Sequence, residues 1–281
     1  EYDIHLAGRQ IKIFKSIDSI ITKVLNKEVS IADYNSEPSY TNLISPLFSL
    51  NIDDFSVENI ELLINNSDIV TAQFKNELKI IRDIYINDIE DIKISAKKLE
   101  EYITQTENEY RQNHIWYSET NEEHKKQKIK FQLTDPKYLN NVKHLQLLNF
   151  GIFFSYNIFK TNAIVAYNEI HKTINSQRII PDYIPAILKP SREELLEYIG
   201  TYHSSSQNIT YKIGVEKFYL TLDVRISKNG KIFKTSKDIF IFEIENAKLE
   251  FKRNVIGDII GFDFIYNGEI ITKATKIKID D

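Results

Sequence analysis

The sequence contains no cysteine and no methionine, and its 281 residues include only 8 glycines and 6 prolines. Without cysteine, disulfides, thiolate zinc sites and cysteine nucleophiles are excluded. No apolar run approaches the ~20 residues of a membrane-spanning helix. Because the first residue is Glu1 and not methionine, we expect the chain to begin after a processing event or at a cloning boundary. An anchor or signal peptide upstream of Glu1 is compatible with this.

The charge distribution argues against a nucleic-acid partner. The net charge is -4 and the pI is near 6.0, with acidic residues interspersed among the lysines and arginines. A nucleic-acid binder usually concentrates its basic residues on one face. The basic run Lys125–Lys130 is the exception, but it follows Glu122 and Glu123, which favours a solvated loop or helix end.

Glycine is scarce before Gly200, and that part of the chain has helical periodicity. Apolar residues recur at steps of three and four, and Pro136 after Thr134-Asp135 marks a helix start. With two glycines before residue 200, a phosphate loop or dinucleotide fingerprint is hard to build there. We predict an antiparallel bundle with about four core helices, spanning residues 6–26, 53–66, 68–113 and 136–177.

From Gly200 the apolar period changes to two, which is typical of strands. Asn267-Gly268 indicates a tight hairpin, and Lys228-Asn229-Gly230 is predicted to form a turn. Seven or eight strands in a meander predict a small antiparallel barrel or half-barrel. The fold class is therefore segregated α+β.

Three prolines separate these parts of the chain, at Pro181, Pro185 and Pro190. They predict a stiff connection, followed by a short helix with a capping box of Ser191 and Glu194. The predicted divisions are a helical bundle, a proline-rich linker with a short helix, and a β-module. Their bounds are 1–178, 179–194 and 195–281.

The β-module carries a series of motifs in a fixed order. They are Leu-Glu-x-Tyr-x-Gly-x-Tyr, Phe-Tyr-Leu-Thr-Leu, Asp-x-Phe, Leu-Glu-Phe, Gly-x-x-x-Gly-Phe and Asn-Gly before Ala-Thr-Lys-Ile. They occupy residues 195–202, 218–222, 238–240, 249–251, 257–262 and 267–277. This order resembles the small lipocalin-like β-module of unknown function at the C-terminus of many bacterial envelope proteins. There it often follows serine β-lactamase-like or peptidase domains.

The resemblance implies a cell-envelope location, periplasmic or membrane-anchored, and it transfers no catalytic residue. The helical part shows a fainter likeness, through Arg9–Asp18 and the long helices that follow. These look like membrane-anchored bacterial envelope proteins of unknown function, in which a transmembrane helix precedes the first of these helices.

Candidate catalytic residues are few. Ser95-Ala-Lys-Lys98 fits the S-x-x-K pattern of β-lactamase-like enzymes, but S-D-N is missing and Lys234-Thr-Ser only partly echoes K-T-G. His114 and His124 flank acidic residues, including Glu119, without the spacing of a zinc motif. We therefore assign no catalytic, cofactor-binding or metal-binding residue.

Five aromatic side chains are the candidate interaction surface. His114, Trp116 and Tyr117 follow the long helix, and Tyr198 and Tyr202 open the β-module. For His114, Trp116 and Tyr117 we favour core packing over a contact with a partner, a glycan or the end of the bundle. For the two tyrosines of the β-module we favour packing into the sheet.

The sequence predicts a non-enzymatic envelope protein that binds or scaffolds. Its partner is an unknown protein, glycan or small molecule, with no cofactor. The alternatives are an extracytoplasmic ligand-sensing domain, favoured by the long paired helices, and a hydrolase with an unrecognised site.

Overall fold

The computed structural model describes residues 1–44, 55, 61–62, 74–118, 121–174, 177, 179–224, 227–242 and 247–277. The chain divides into two compact units, Glu1–Ala163 and Ile164–Asp281. The first is helical and the second contains a closed antiparallel barrel, which confirms the segregated α+β class. The sequence-based boundaries at 178 and 194 stay predictions.

The helices follow the apolar periodicity of the sequence. Within the described residues their bounds are α1 Tyr2–Leu25, α2 Ile31–Ser36, α3 Pro38–Thr41, α4 Lys75–Asp83, α5 Ile89–Asn113, α6 Ile115–Ser118, α7 Glu122–Thr134, α8 Pro136–Thr173 and α9 Arg192–Leu196. The predicted helix over 53–66 lies outside the described residues, apart from Phe55, Glu61 and Leu62.

Helix α8 packs antiparallel to both α1 and α5 in the helical unit. Against α1, the amide of Asn149 donates to the carbonyl oxygen of Phe14 over 3.2 Å, and the ring of Phe14 lies 5.6 Å from that of Tyr156. Against α5, Tyr102 donates to the carbonyl oxygen of Asn141 over 3.1 Å. These contacts confirm a helical bundle.

The long helix predicted over 68–113 is observed from Lys75 to Asn113, and its earlier residues lie outside the described part. Helices α4 and α5 are joined by a π-helical turn, Ile84–Asp88. Tyr85 in this turn donates to Asp3 of α1, and Asp88 accepts from Asn162 of α8 over 2.8 Å. The irregular turn therefore lies where the long helix meets both neighbours.

The basic run Lys125–Lys130 is part of a helix of 13 residues, α7. Asn121 caps this helix by accepting from the backbone N–H of His124 over 2.8 Å. Of the two predicted alternatives, the loop is wrong and a helix is observed, with Lys125, Lys126 and Lys130 exposed to solvent. Few of its side chains are apolar, so no helical period is detectable here. The predicted start of α8 is confirmed, since Asp135 accepts from the backbone N–H of Lys137 over 2.8 Å.

The proline-rich segment is hydrogen-bonded along its length. The side chain of Asn168, on the last part of α8, donates to the carbonyl oxygen of Pro185 and accepts from the N–H of Ile187. Leu188 donates to the carbonyl oxygen of Lys234 over 2.8 Å. The predicted capping box of Ser191 and Glu194 is confirmed at the start of α9.

Eight strands then form a meander that closes on itself. They are β1 Gly200–Ser204, β2 Ile209–Glu216, β3 Tyr219–Val224, β4 Ser227–Ser236, β5 Ile239–Phe242, β6 Ala247–Arg253, β7 Ile259–Tyr266 and β8 Glu269–Ile277. Closure comes from β1 pairing with β8, with His203 opposite Thr275. A closed barrel removes the unpaired edge strands through which open sheets associate.

Two turn predictions had opposite outcomes. Asn267 and Gly268 adopt φ values of 52° and 86° between β7 and β8, so the tight hairpin is confirmed. The turn predicted at Lys228-Asn229-Gly230 is wrong, because all three residues lie within β4. Gly230 is needed there since a Cβ atom would lie 2.8 Å from the ring of Phe242. That contact is tertiary and leaves no local signature.

Candidate functional site

One end of the barrel combines a charged cluster with an exposed apolar turn. This end, called the Arg253 end, is formed by the start of β1 and the turns at 216–219, 236–239 and 253–259. Helix α9 leads directly into it.

Arg253 binds two carboxylates with its guanidinium group. Its Nη1 and Nη2 donate to the two oxygens of Glu197 over 2.8 and 2.7 Å. Its Nε and Nη2 donate to Asp238 over distances of 2.7 to 3.1 Å. A third contact joins Nη1 to the carbonyl oxygen of Gly257 over 2.7 Å. The arginine thus ties together the residue after α9, the β4–β5 turn and the β6–β7 turn.

These hydrogen bonds fix the ionisation of the cluster. The Arg253 guanidinium holds the pKa of Glu197 and of Asp238 below their ordinary values. Burial raises the pKa of Tyr198, and its 2.8 Å hydrogen bond to Asp238 raises it further. At neutral pH the cluster therefore contains two carboxylates, one guanidinium and a neutral phenol. The hydrogen bonds of Arg253 connect three segments of the chain, so the cluster holds this end of the barrel together.

The barrel interior beneath the cluster is occupied by aromatic rings. Phe251 lies at the centre, 4.8 Å from the ring of Tyr198, 5.4 Å from Phe240 and 5.7 Å from Phe262. Tyr202 completes the group and donates to the carbonyl oxygen of Tyr198 over 2.6 Å. All five side chains are at most 3% exposed. Tyr198 and Tyr202 thus pack inside the sheet, and their rings contribute nothing to an outer surface.

The other end of the interior contains paired polar groups. The hydroxyls of Ser204 and Thr272 lie 2.7 Å apart, with both residues buried. Tyr211 donates to the side chain of Gln207 over 3.4 Å, and Gln207 donates to the carbonyl oxygen of Ile271 over 3.2 Å. The hydroxyls of Ser204 and Thr272 are thus satisfied inside the barrel, as the interior of a folded core requires, whereas Gln207 is an exposed residue at its rim.

The β6–β7 turn at the Arg253 end presents two aliphatic side chains to solvent. Val255 is fully exposed and Ile256 is 79% exposed. The backbone beneath them is held by Asn254, whose side-chain oxygen accepts from the N–H groups of Ile256 and Asp258 over 3.1 and 2.9 Å. Gly257 has a φ of +98°, a conformation that favours glycine. The apolar tip is thus a fixed structure on a rigid turn.

The aromatic side chains predicted near the end of α5 form a separate cluster in the helical unit. The rings of His114 and Trp116 stack at 4.6 Å and are half-buried. Tyr117 is buried, 5.3 Å from the ring of Tyr110, and the ammonium of Lys128 lies 4.5 Å from its ring centre. Of the three predicted residues, His114 and Trp116 keep some surface, and Tyr117 belongs to the core.

The residues weighed for catalysis do not converge. Ser95 lies in the first third of α5 with its hydroxyl 3.3 Å from that of Ser155, and Lys98 of the same motif is exposed. His124 lies beside its capping residue Asn121, and Glu119 is outside the described residues. Within the described part of the chain, no three His, Asp or Glu side chains are grouped to hold a metal ion.

A polar groove runs along the exposed face of α5. It is lined by acidic, amide and hydroxyl side chains, namely Glu100, Glu101, Thr104, Gln105, Asn108, Glu109 and Gln112. Their spacing of one, three and four residues places them on one stripe of the helix. Such a stripe is typical of a solvated helix face.

Sequence reasoning missed both the Arg253 cluster and the apolar tip. The cluster joins residues 15 and 56 positions apart, which no local pattern reveals. The tip did leave a signal, because Val255-Ile256 is an aliphatic pair between Asn254 and Gly257, where a turn is ordinarily polar.

Comparison with known proteins gives no family assignment. No protein-family model matches the chain, and no curated protein matches its sequence. Among the helices that the structure describes, none is both long enough and apolar enough to cross a membrane.

Proposed function

We propose that this chain is a non-enzymatic binding or scaffolding protein of the bacterial cell envelope, which recognises its partner through its outer surface. The envelope location follows from the resemblance of the β-module and not from the geometry. The mode of binding is argued from the barrel.

The filled interior is the observation that carries the proposal. Barrels of eight strands either hold a small ligand or fill their interior with side chains. Here the rings of Tyr198, Phe251 and Phe262 occupy the Arg253 end at core packing distances. Phe242 covers Gly230 so closely that a Cβ atom has no room. A partner therefore has to bind outside, and closure of the sheet leaves its strands unavailable for β-strand addition.

A ligand-sensing domain is the second candidate, supported by the π-helical turn at Ile84–Asp88. Such turns are frequent at functional sites and hinges. This one contacts α1 through Asp3 and α8 through Asn162, so a shift of the long helix would be transmitted to both. The sensor needs a signal-dependent change, which the scaffold does not.

The location is tested by fractionating native cells and detecting the protein with antibodies against residues 1–281. We expect it in the envelope fraction, together with an envelope marker protein. Recovery in the cytosol with a cytosolic marker would contradict the proposal. The result does not depend on which partner is bound.

The filled interior is tested with benzene and palmitate as probes, by the shift of the melting temperature. We expect no shift for the wild-type protein. Phe251→Ala is the matched control, since it removes a ring that is 3% exposed and lies among four others. A dry apolar cavity of this kind binds benzene, so the variant should gain a stabilising shift.

Two other outcomes would redirect the proposal. Stabilisation of the wild-type protein by palmitate would favour a small-molecule carrier. Hydrolysis of p-nitrophenyl acetate that is lost in Ser95→Ala would favour the hydrolase.

A further inference from the structure

The apolar tip of the β6–β7 turn has no role in stabilising the fold. A fully exposed valine beside an isoleucine that is 79% exposed buries almost no area. Such side chains belong to an interaction site when they are grouped and held in place. Leu196 of α9, at the same end of the barrel, adds a third side chain that is 49% exposed.

The tip is held without any contribution from its own side chains. Asn254 donates its N–H to the carbonyl oxygen of Asp258 over 2.9 Å, and Gly257 donates to the carbonyl oxygen of Asn254 over 3.1 Å. Arg253 anchors the turn from beneath through the carbonyl oxygen of Gly257. Binding at the tip therefore costs little ordering entropy.

The charges around the tip distinguish between possible partners. The carboxylates of Glu197 and Asp238 are engaged by Arg253. That of Asp258 accepts from the amide of Asn254 over 3.2 Å, and that of Glu216, an exposed residue beside Lys217, accepts from the hydroxyl of Tyr219 over 3.0 Å. The neighbouring turns at the same end carry exposed lysines, Lys217 and Lys237. Among the described residues, neither lysine forms an ion pair. The aliphatic tip matches the acyl-chain region of an anionic membrane, and the long side chains of the two lysines match its charged headgroups.

We propose that the Val255–Ile256 tip inserts into the interfacial region of an anionic membrane, with Lys217 and Lys237 contacting the headgroups. This rests on the proposed function, for which it supplies the partner surface. Two aliphatic side chains give weak, reversible binding. The tip therefore orients the barrel on the membrane, and stable attachment of the protein needs a second membrane-binding element.

The absence of cysteine allows a direct test. Ile256→Cys gives a single thiol that can be labelled with the environment-sensitive dye NBD, and Ile271→Cys gives a control. Ile271 is 45% exposed and lies on β8, near the Asn267-Gly268 hairpin at the opposite end of the barrel. With vesicles of phosphatidylcholine and phosphatidylglycerol (3:1), we expect a blue shift and a rise in emission for the label at 256 only.

Vesicle co-sedimentation measures the contribution of each group. The double variant Val255→Ser/Ile256→Ser should lower the partition coefficient by about tenfold or more. Ile270→Ser/Ile271→Ser removes two aliphatic groups at the other end and should change it less than about twofold. Lys217→Gln/Lys237→Gln should weaken binding to the anionic vesicles and leave binding to pure phosphatidylcholine vesicles unchanged. The remaining binding to anionic vesicles should depend less on salt concentration than that of the wild-type protein.

Three results would overturn the inference. They are no vesicle binding by the wild-type protein, equal losses in the two serine variants, or an unchanged spectrum at position 256. Cross-linking of the tip to an envelope protein, without a response to vesicles, would assign the tip to a protein partner. The native protein could still fractionate with the envelope in each case, so these failures are distinguishable from failure of the proposed function.

Discussion

The helical unit and the barrel satisfy their buried polar groups in different ways. In the barrel, the hydroxyl of Tyr202 donates to the carbonyl oxygen of Tyr198, and Ser204 pairs with Thr272. In the helical unit, Tyr34 is 2% exposed and its hydroxyl has no partner among the described residues. A buried hydroxyl without a partner costs free energy, so these positions of the barrel are better satisfied than Tyr34 of the helical unit.

The two regions also differ in how closely their backbones approach. At Gly261 of β7, a Cβ atom would lie 2.3 Å from the carbonyl oxygen of Ala274 in β8. At Gly151 of α8, a Cβ atom would meet nothing within 4 Å. The barrel therefore depends on glycine for strand pairing, and the helix only tolerates it.

The largest expected effect comes from exchanging these glycines for alanine. Gly261→Ala should destabilise the barrel by about 3 kcal/mol, since the obstruction is backbone that cannot rotate away. Gly151→Ala should stabilise the helical unit by about 0.5–1 kcal/mol, because alanine has the higher helix propensity. Hydrogen exchange resolved by peptide measures both changes in one chain. Destabilisation by Gly151→Ala would show that its helix face is more closely covered than the structure indicates.

The next effect concerns the Arg253 cluster. Arg253→Gln should destabilise the barrel by about 2 kcal/mol at pH 7, because it leaves two partly buried carboxylates without their cation. The arginine side chain is 22% exposed and that of Asp238 is 17% exposed, so solvent screens the pair only in part. Arg192→Gln, at an exposed position of α9, is the matched control and should change stability by less than about 0.5 kcal/mol.

The pH dependence of this difference has a definite sign. The pKa values of Glu197 and Asp238 are lower in the folded state. Their contribution is therefore present above the unfolded pKa of about 4 and is lost as pH falls through the folded value. Denaturation curves of wild type and Arg253→Gln should converge as pH falls below about 4. A gap that stays constant down to pH 2 would contradict this assignment of the charges.

The features that the sequence predicted are those that depend on neighbours along the chain. Asp135 before Pro136, the capping box of Ser191 and Glu194, and the Asn267-Gly268 hairpin were each readable within a few residues. The apolar periods also predicted the bundle and the barrel. For the five aromatic side chains the sequence left surface and core open, because a tyrosine has the same identity in both. The favoured interpretation for Tyr198 and Tyr202, packing into the sheet, agrees with their burial.

The features that sequence reasoning missed depend on contacts between distant residues. Gly230 looked like a turn residue, but it lies within β4, paired with Leu222 and covered by the ring of Phe242. Arg253 lies in an ordinary charged stretch of sequence. Its structural role depends on its contact with Glu197, 56 residues earlier. Helix α7 has no apolar stripe, so its sequence contains no helical period of apolar residues to detect.

The smallest effect tests the polar groups directly, by removing one hydroxyl from each region. Tyr202→Phe deletes a buried donor with a 2.6 Å partner and should cost about 1 kcal/mol in the barrel. Tyr34→Phe deletes a buried hydroxyl without a described partner and should be neutral or stabilising by up to about 1 kcal/mol in the helical unit. Both changes keep the ring, so packing is matched, and hydrogen exchange by peptide assigns each change to its unit. Equal losses in the two variants would mean that Tyr34 does have a partner, and the contrast between the two interiors would then fail.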